Sequence, residues 1–436
     1  MSAPMAHGTL ARLLAGEFAD PDDGAPLAVP TRRVVIADTL AGKEADLVAE
    51  LDMGPRLALV SDDNTHRVLG ARVLSALRAT AEVNHIRLPG RPHADARTAD
   101  AIRGDAAGCD GLVAVGAGTI NDLCKHAAAR DGKPYAVFAT APSMNGYTSV
   151  NASISVDGHK TSQPAVAASG VYMDLEVLSA APARMIRSGL GDSLCRPTAQ
   201  ADWLLAHLLL GRAYRAAPFA LLAEDEADLF ACSDALMGGD LPAMRRLAQT
   251  LVLSGFGMTI AGGSHPASEG EHLISHYVEM MAPKDWPEAF HGEQIGVTTL
   301  TMARLQDRLL DGPPPRVHAS TADEAAVKAH FGQEAGAKCW AEFNAKRLSD
   351  DEAEDLNARL ADTWDNVRER IDRVRVPAEI LEAVLRRAGA PTTPQDLGWS
   401  RDFYADAVRH AREIRNRYTF LDLAADSGQL DDVADL

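Results

Sequence analysis

Two histidines four residues apart, His272 and His276, sit in Ser268-Glu269-Gly270-Glu271-His272-Leu273-Ile274-Ser275-His276. A third, His291, opens His291-Gly292-Glu293-Gln294-Ile295-Gly296 nineteen residues after the first. On a helix an i, i+4 pair shares one face, as a metal or anion site requires. Upstream, Gly189-Leu190-Gly191-Asp192 offers a carboxylate in what reads as a glycine-flanked turn. One aspartate and two histidines make a first shell for zinc or a similar divalent ion, with a position left open for substrate. The bland alternatives are that Asp192 caps a following helix and that each histidine is a satisfied structural side chain. Three clustered histidines with an aspartate favour a site. The order Glu-His-x-x-x-His is not the His-Glu-x-x-His of metalloproteases, so proteolysis is not the reading. His207, His265 and His330 have no such company and read as structural.

Val115-Gly116-Ala117-Gly118-Thr119-Ile120-Asn121-Asp122 follows an apolar run and opens a helical stretch. Glycines there let backbone amides approach a pyrophosphate, and the helix N-terminus adds partial positive charge. Asn121 stands where the usual fingerprint has its third glycine, so a plain strand–helix turn is the even alternative. Asp62 ends an earlier apolar run, where it can accept from a ribose hydroxyl or cap a helix. The polar segment Ala139-Thr140-Ala141-Pro142-Ser143-Met144-Asn145-Gly146-Tyr147-Thr148-Ser149 leaves another such run. Its length, hydroxyls and amide favour function over a simple connection.

The elements that must position these residues change in texture along the chain. Apolar runs at 33–37, 57–61, 84–88, 111–115, 136–140 and 170–174 read as strands. Amphipathic stretches lie between several of them; in 64–78, Val68, Leu69, Val73, Leu74 and Leu77 form one stripe. A hairpin with Asp157-Gly158 at its turn is expected between 153–156 and 159–161. After about residue 183 helix formers dominate, in stretches at 199–210, 220–237, 242–253, 270–281, 293–309 and 353–374. A proline-rich linker at 311–315 and a charged stretch at 348–354 interrupt them, and 422–436 reads as a frayed acidic tail. The fold class is therefore an α/β N-terminal domain with a Rossmann-like parallel sheet, residues 1–182, followed by an all-α C-terminal domain, residues 183–436.

With 43 basic and 61 acidic residues the formal charge is −18. Such a surface repels nucleic acid and anionic membrane, and no basic block compensates. The five cysteines are scattered and form no Cys-x-x-Cys pair, which suggests reduced thiols in a cytoplasmic protein. No signal-like or membrane-spanning apolar run is visible.

Taken in order along the chain, these motifs resemble the sn-glycerol-1-phosphate dehydrogenase family, within the iron-containing alcohol dehydrogenase-like superfamily. They are Gly116 to Asp122 with Lys125, residues 141–149, Gly-Leu-Gly-Asp at 189–192, Ala-Asp-Trp at 201–203, and the two histidine motifs. The C-terminal part, with Arg415-Asn416-Arg417-Tyr418-Thr419-Phe420-Leu421-Asp422, looks like the bacterial AraM-type branch. The resemblance implies a divalent metal, zinc or nickel, on Asp192, His272 and His291. It assigns His276 to substrate contact. It places NAD or NADP on Asp62, Gly116, Ala117, Gly118, Thr119, Thr140, Ser143 and Ser149. Where the family carries Met-Asp-Gly this chain has Met144-Asn145-Gly146, and that position is expected to contact substrate. An amide can hydrogen-bond a hydroxyl there but brings no negative charge.

The expected reaction is reduction of dihydroxyacetone phosphate to sn-glycerol 1-phosphate, a small phosphorylated substrate. Arg187, Arg196 and Lys160 are candidate phosphate partners, each equally readable as a surface charge. The alternatives are a glycerol dehydrogenase-like polyol or polyol-phosphate enzyme, a lyase of the dehydroquinate synthase kind, and a non-catalytic metal- or nucleotide-binding regulator. Homo-oligomerisation stays open.

Overall fold

Six of the apolar runs pair into one parallel sheet: β1 (Arg33–Ala37), β2 (Arg56–Asp62), β3 (Glu82–Leu88), β4 (Gly111–Gly116), β5 (Tyr135–Ala139) and β8 (Gly170–Asp174). A separate antiparallel pair, β6 (Asn151–Val156) and β7 (His159–Pro164), forms the expected hairpin. The computed structural model describes residues 8–156, 159–283 and 286–430, so the turn expected at Asp157-Gly158 lies outside the described residues. The remainder is mostly helical, which gives the expected fold class.

Strand order in the sheet is β1-β8-β5-β4-β2-β3. Strands β4 and β5 are buried along their whole length, which is why their sequences run apolar without alternation. The chain steps from β2 to β3 on one side and then crosses back past β2 to β4 on the other, a topological switch point. Ligands in open parallel sheets bind outside the carboxyl ends of strands at such a point. Here those ends are Asp62 and Gly116.

The chain divides into two units. Met1–Ser193 joins with Ala216–Gly263, and Leu194–Arg215 joins with Ser264–Leu436. This partition differs from a single cut after residue 182, because the long helix Leu241–Ala261 packs with the sheet domain. Arg245 on that helix donates to Ile36 O at 2.6 Å and reaches Asp38 at 2.7 Å. At Gly255 an added Cβ would stand 2.2 Å from Thr148 Oγ1 and 2.5 Å from Asn145 O. The helix can therefore lie directly against the 140–149 loop.

Several local expectations change. Val68 is exposed while Leu69, Val73, Leu74 and Leu77 are buried. A π turn at His66–Gly70 widens the helix there and rotates Val68 off the stripe. Asp192 is not in a turn; it lies in the last turn of the helix Ala183–Leu194. Gly189 serves close packing instead, since a Cβ there would meet Pro142 O at 1.6 Å. The 220–237 stretch breaks into Ala217–Ala220, Glu226–Ala231 and a 3-10 turn at Ala235–Gly238. Like charges at Glu224, Asp225, Glu226 and Asp228 oppose a continuous helix. The 348–354 stretch starts a helix, Asp350–Asp372, with Ser349 and Glu352 forming its capping box.

The acidic C-terminus is not frayed as far as residue 430. Phe420–Asp426 is a buried helix whose Asp422 Oδ2 accepts from Lys346 Nζ at 2.8 Å. Arg412 pairs with Asp426 at 2.9 Å and lies 5.0 Å over the Phe343 ring. Among the described residues no helix is long and apolar enough to cross a membrane.

Two outcomes follow. Gly255→Ala should destabilise the fold by about 2–4 kcal/mol in urea titration, because the overlapped atoms include backbone. A change under about 0.5 kcal/mol would contradict the packing argument.

The second outcome concerns pH. Tyr277 Oη lies 2.8 Å from His330 Nε2, His330 stacks on His410 at 3.8 Å, and His410 Nδ1 lies 3.1 Å from Glu413. Burial first, and His410 second, hold His330 below its ordinary 6.5, against Glu413 and Asp406, which favour its cation. A depressed histidine contributes stability that is complete above about pH 6.5 and is lost as pH falls through the lower folded value. The urea midpoint should therefore fall on acidification, and less steeply in His330→Gln; identical slopes would remove His330 as the cause.

Candidate active site

In the first unit the cofactor-type residues gather at the carboxyl ends of the central strands. Gly116 closes β4, and a Cβ there would stand 2.5 Å from Ile120 Cβ, so packing alone demands glycine. Gly118 begins the helix Gly118–Asp131, whose N-cap residue Ala117 supplies no side-chain hydrogen bond. The amides of that first turn are the expected orphan donors of a helix start, and Ala117, Gly118 and Thr119 are only half-buried. Asp62 caps the short helix Asp63–Thr65, with Oδ1 accepting from Asn64 N at 2.8 Å and Thr65 N at 2.7 Å. The helix-cap alternative is thus realised through one oxygen of the carboxylate.

The 140–149 loop follows β5 and is held from several sides. Lys125 is fully buried and donates to Gly146 O at 2.5 Å, Ser149 Oγ at 3.1 Å and Asn151 O at 3.1 Å. Burial pushes its ammonium down to about 8, with Asp122 opposing. Tyr147 Oη donates to Ala141 O at 2.7 Å, and Thr148 Oγ1 donates to Val252 O at 2.7 Å. Thr140 is buried and Ser143 half-buried, and Ser143 O accepts from Ser188 at 3.0 Å. Ser149 is buried, and its hydroxyl is engaged by Gly146 O, Asn151 O and Lys125.

Asn145 ties this loop to the carboxylate of Gly-Leu-Gly-Asp. Its backbone N donates to Asp192 Oδ2 at 2.8 Å, and its Nδ2 donates to Ser254 Oγ at 3.2 Å. The substrate-type residue and one metal-type residue are therefore rigidly linked, by a bond to backbone that is indifferent to the Asn-for-Asp replacement.

In the second unit the helix Gly270–Met281 presents His272 and His276 as the i, i+4 spacing requires, with ring centroids 5.8 Å apart. His291 begins the helix His291–Asp311, and its ring lies 5.1 Å from that of His272. Glu293 fixes the start of this helix by accepting from Phe290 N at 2.9 Å. His272 is buried, and its Nδ1 lies 2.9 Å from Oε1 of the fully buried Glu271. An acceptor at Nδ1 makes that nitrogen the donor and leaves Nε2 as the lone-pair nitrogen, the usual arrangement of a metal-binding imidazole. Glu271 is held in turn by Glu269 N at 2.9 Å and Thr198 Oγ1 at 3.5 Å.

The Ala-Asp-Trp motif supplies the support for this helix. Asp202 is fully buried and accepts from Gly270 N at 3.0 Å and Phe420 N at 2.9 Å. Burial first, and Glu271 second, push its carboxyl well above the ordinary carboxylate range, against the pull of those two N–H bonds. Close approach favours Gly270, since a Cβ would stand 2.4 Å from Met302 Cε and 2.7 Å from Asp202 Oδ2. Arg417 donates to Ser268 O and, at 2.8 Å, to Ser264 Oγ, pinning the segment before the helix.

Sequence reasoning did not single out Glu271, Asp202 or Arg417 for these roles. Neighbours such as Glu271 and His272 point about 100° apart on a helix, so adjacency gave no sign of their contact. Of the candidate phosphate partners, Arg187 and Arg196 are half-buried, with Arg196 Nη1 donating to Gln200 at 2.5 Å. The Lys160 side chain lies outside the described residues.

A family model described as iron-containing alcohol dehydrogenase matches residues 35–182. The chain is 28% identical to the glycerol-1-phosphate dehydrogenase (NAD(P)+) of Bacillus licheniformis, over 93% of this chain and 91% of that one. It is 32% identical to the protein of the same name from Thermococcus kodakarensis, over 63% of this chain and 77% of that one. Among solved structures, a probable glycerol dehydrogenase from Sinorhizobium meliloti superposes with a TM-score of 0.59 at 18% identity, covering 93% and 98% of the two chains; this likeness concerns the fold. On these matches, the chain belongs to the glycerol-1-phosphate dehydrogenase family of the iron-containing alcohol dehydrogenase superfamily.

Proposed function

We propose that this protein reduces dihydroxyacetone phosphate to sn-glycerol 1-phosphate with NADH or NADPH, on a divalent metal, zinc or nickel. The observation that carries the reading is the buried Glu271–His272 pair beside His291, in a chain of this family. Asp192, His272 and His291 would hold the metal. The donor chemistry fits: one carboxylate and two imidazoles suit zinc or nickel, and Glu271 already fixes one imidazole in the ligand form. When bound, the metal would supply Lewis-acid polarisation of the ketone, and the nicotinamide would supply the hydride.

The rest falls to the chain's own residues. His276 is one helical turn beyond His272 and half-buried, where its imidazole can deliver the proton that the substrate oxygen gains. Asn145, immobilised through Ser254, can hydrogen-bond a substrate hydroxyl. Gly116, Ala117, Gly118 and Thr119 would receive the pyrophosphate at the open helix start. Thr140 and Ser143 would face the cofactor from the loop. Ser149 would act through the loop shape that its committed hydroxyl maintains. The second oxygen of Asp62 favours a free ribose 2′-hydroxyl and so NAD over NADP.

The test is NADH and NADPH oxidation on metal-stripped protein reloaded with zinc or nickel. Turnover with dihydroxyacetone phosphate should depend on metal, exceed that with dihydroxyacetone, and fall on the order of 10³-fold or more in His272→Ala. Metal-loaded protein that turns over neither ketone would reject the reading. Glu271→Gln keeps a hydrogen-bonding shape without the charge, so metal affinity in chelator competition should fall about 10–100-fold. Unchanged affinity would leave Glu271 a purely structural acid.

A further inference from the structure

Cys195, Glu271 and His272 bring a thiol sulfur, a carboxylate oxygen and an imidazole nitrogen within 4.8 Å of one another, all three side chains buried. All three belong to the same unit. Neither the proposed reaction nor the proposed metal set uses Cys195. We propose that these residues form a second, inhibitory site for a thiophilic divalent cation, zinc or cadmium.

The donor set selects the ion class. Sulfur with nitrogen and one oxygen suits zinc or cadmium, whereas magnesium and calcium avoid thiolate. Tetrahedral zinc, with bonds of about 2.3 Å to sulfur and about 2.1 Å to nitrogen or oxygen, needs donors roughly 3.5 Å apart. Closing from 4.8 Å or less asks little of the side chains. Among its contacts the Cys195 thiol gives up the 3.6 Å one to Ala267 O, and Glu271 gives up its 3.5 Å bond from Thr198. The ion replaces the thiol proton and, at Nδ1, the imidazole proton that Glu271 accepts; both protons leave to the buffer.

Occupancy would harm the proposed reaction through Nδ1, the nitrogen on the Glu271 side of the ring. Capture of Nδ1 removes the Glu271 hydrogen bond that orients the ring. Only this inhibitory consequence rests on the proposed function; binding itself does not.

The experiment titrates cadmium into protein already carrying one equivalent of zinc or nickel. One further equivalent should bind with an ultraviolet thiolate-to-cadmium charge-transfer band, and turnover of dihydroxyacetone phosphate should fall in parallel. Cys195→Ser should abolish the band and raise the half-inhibitory cadmium concentration at least tenfold, while Cys339→Ser keeps both. Cadmium-113 resonance of the unsubstituted protein should fall in the mixed sulfur, nitrogen and oxygen range, a readout that does not depend on a variant folding. A band that persists in Cys195→Ser, or a resonance without sulfur, overturns the site. A Cys195-dependent band on protein with no turnover on any ketone would keep the site and reject the proposed function.

Discussion

One buried carboxylate organises the unit that carries the histidines. Asp202 accepts the first free amides of two helices, Gly270 N and Phe420 N, so a single side chain sets where both begin. Helix starts leave N–H groups unpaired, and in a dry interior those groups must be satisfied or the helix end moves. Because the Gly270–Met281 helix starts at Asp202, His272 stands two residues from a fixed point. Flexibility elsewhere on that helix is then of little consequence to the ring. The same constraint explains the glycine of Ser-Glu-Gly-Glu-His, which no chemistry of its own requires.

The C-terminal segment belongs to this arrangement and is not an appendage. Lys346 reaches Arg417 O at 2.6 Å and Asp422 at 2.8 Å, both from a buried position. Arg417 in turn holds Ser264 and Ser268 ahead of the histidine helix. Buried ion pairs of this kind contribute little net stability over apolar packing, but breaking one partner is costly. Their effect here is on register: they fix which amide meets Asp202. In the other unit close approach works alongside buried charge. Gly189 admits Pro142 O, Gly255 admits Asn145 O and Thr148 Oγ1, and Lys125 holds the loop through Gly146 O.

How much of this was legible in the chain depended on whether the signal was local. The strands were visible because each is a short apolar run between breakers, and the sheet buries β4 and β5 completely. The histidine pair was visible because helical spacing is periodic. Asp192 was visible as a carboxylate but misplaced, since glycines that serve close helix packing look the same as glycines that make a turn. The π turn that exposes Val68 has no spacing signature, so a regular helix was the natural expectation. Asp202 and Arg417 act across separations that no local pattern encodes, up to 218 residues for the Asp202–Phe420 bond, whereas Glu271 acts on its chain neighbour, which helical spacing places about 100° away. The acidic tail misled for a related reason. Composition reports charge but not pairing, and Asp422 and Asp426 are acidic because Lys346 and Arg412 wait for them.

The position of Cys195 shows the cost of such tight orientation. A metal-binding imidazole is most useful when its second nitrogen is tied to a carboxylate, and burial makes that tie strong. Burial also brings whatever else lines the pocket into ligand range, and here that includes a thiol. A serine in its place would form a hydrogen bond of similar reach without affinity for soft metals. The present arrangement therefore sets a thiol beside a tightly oriented imidazole, so that any metal held by that imidazole would have a soft donor close by.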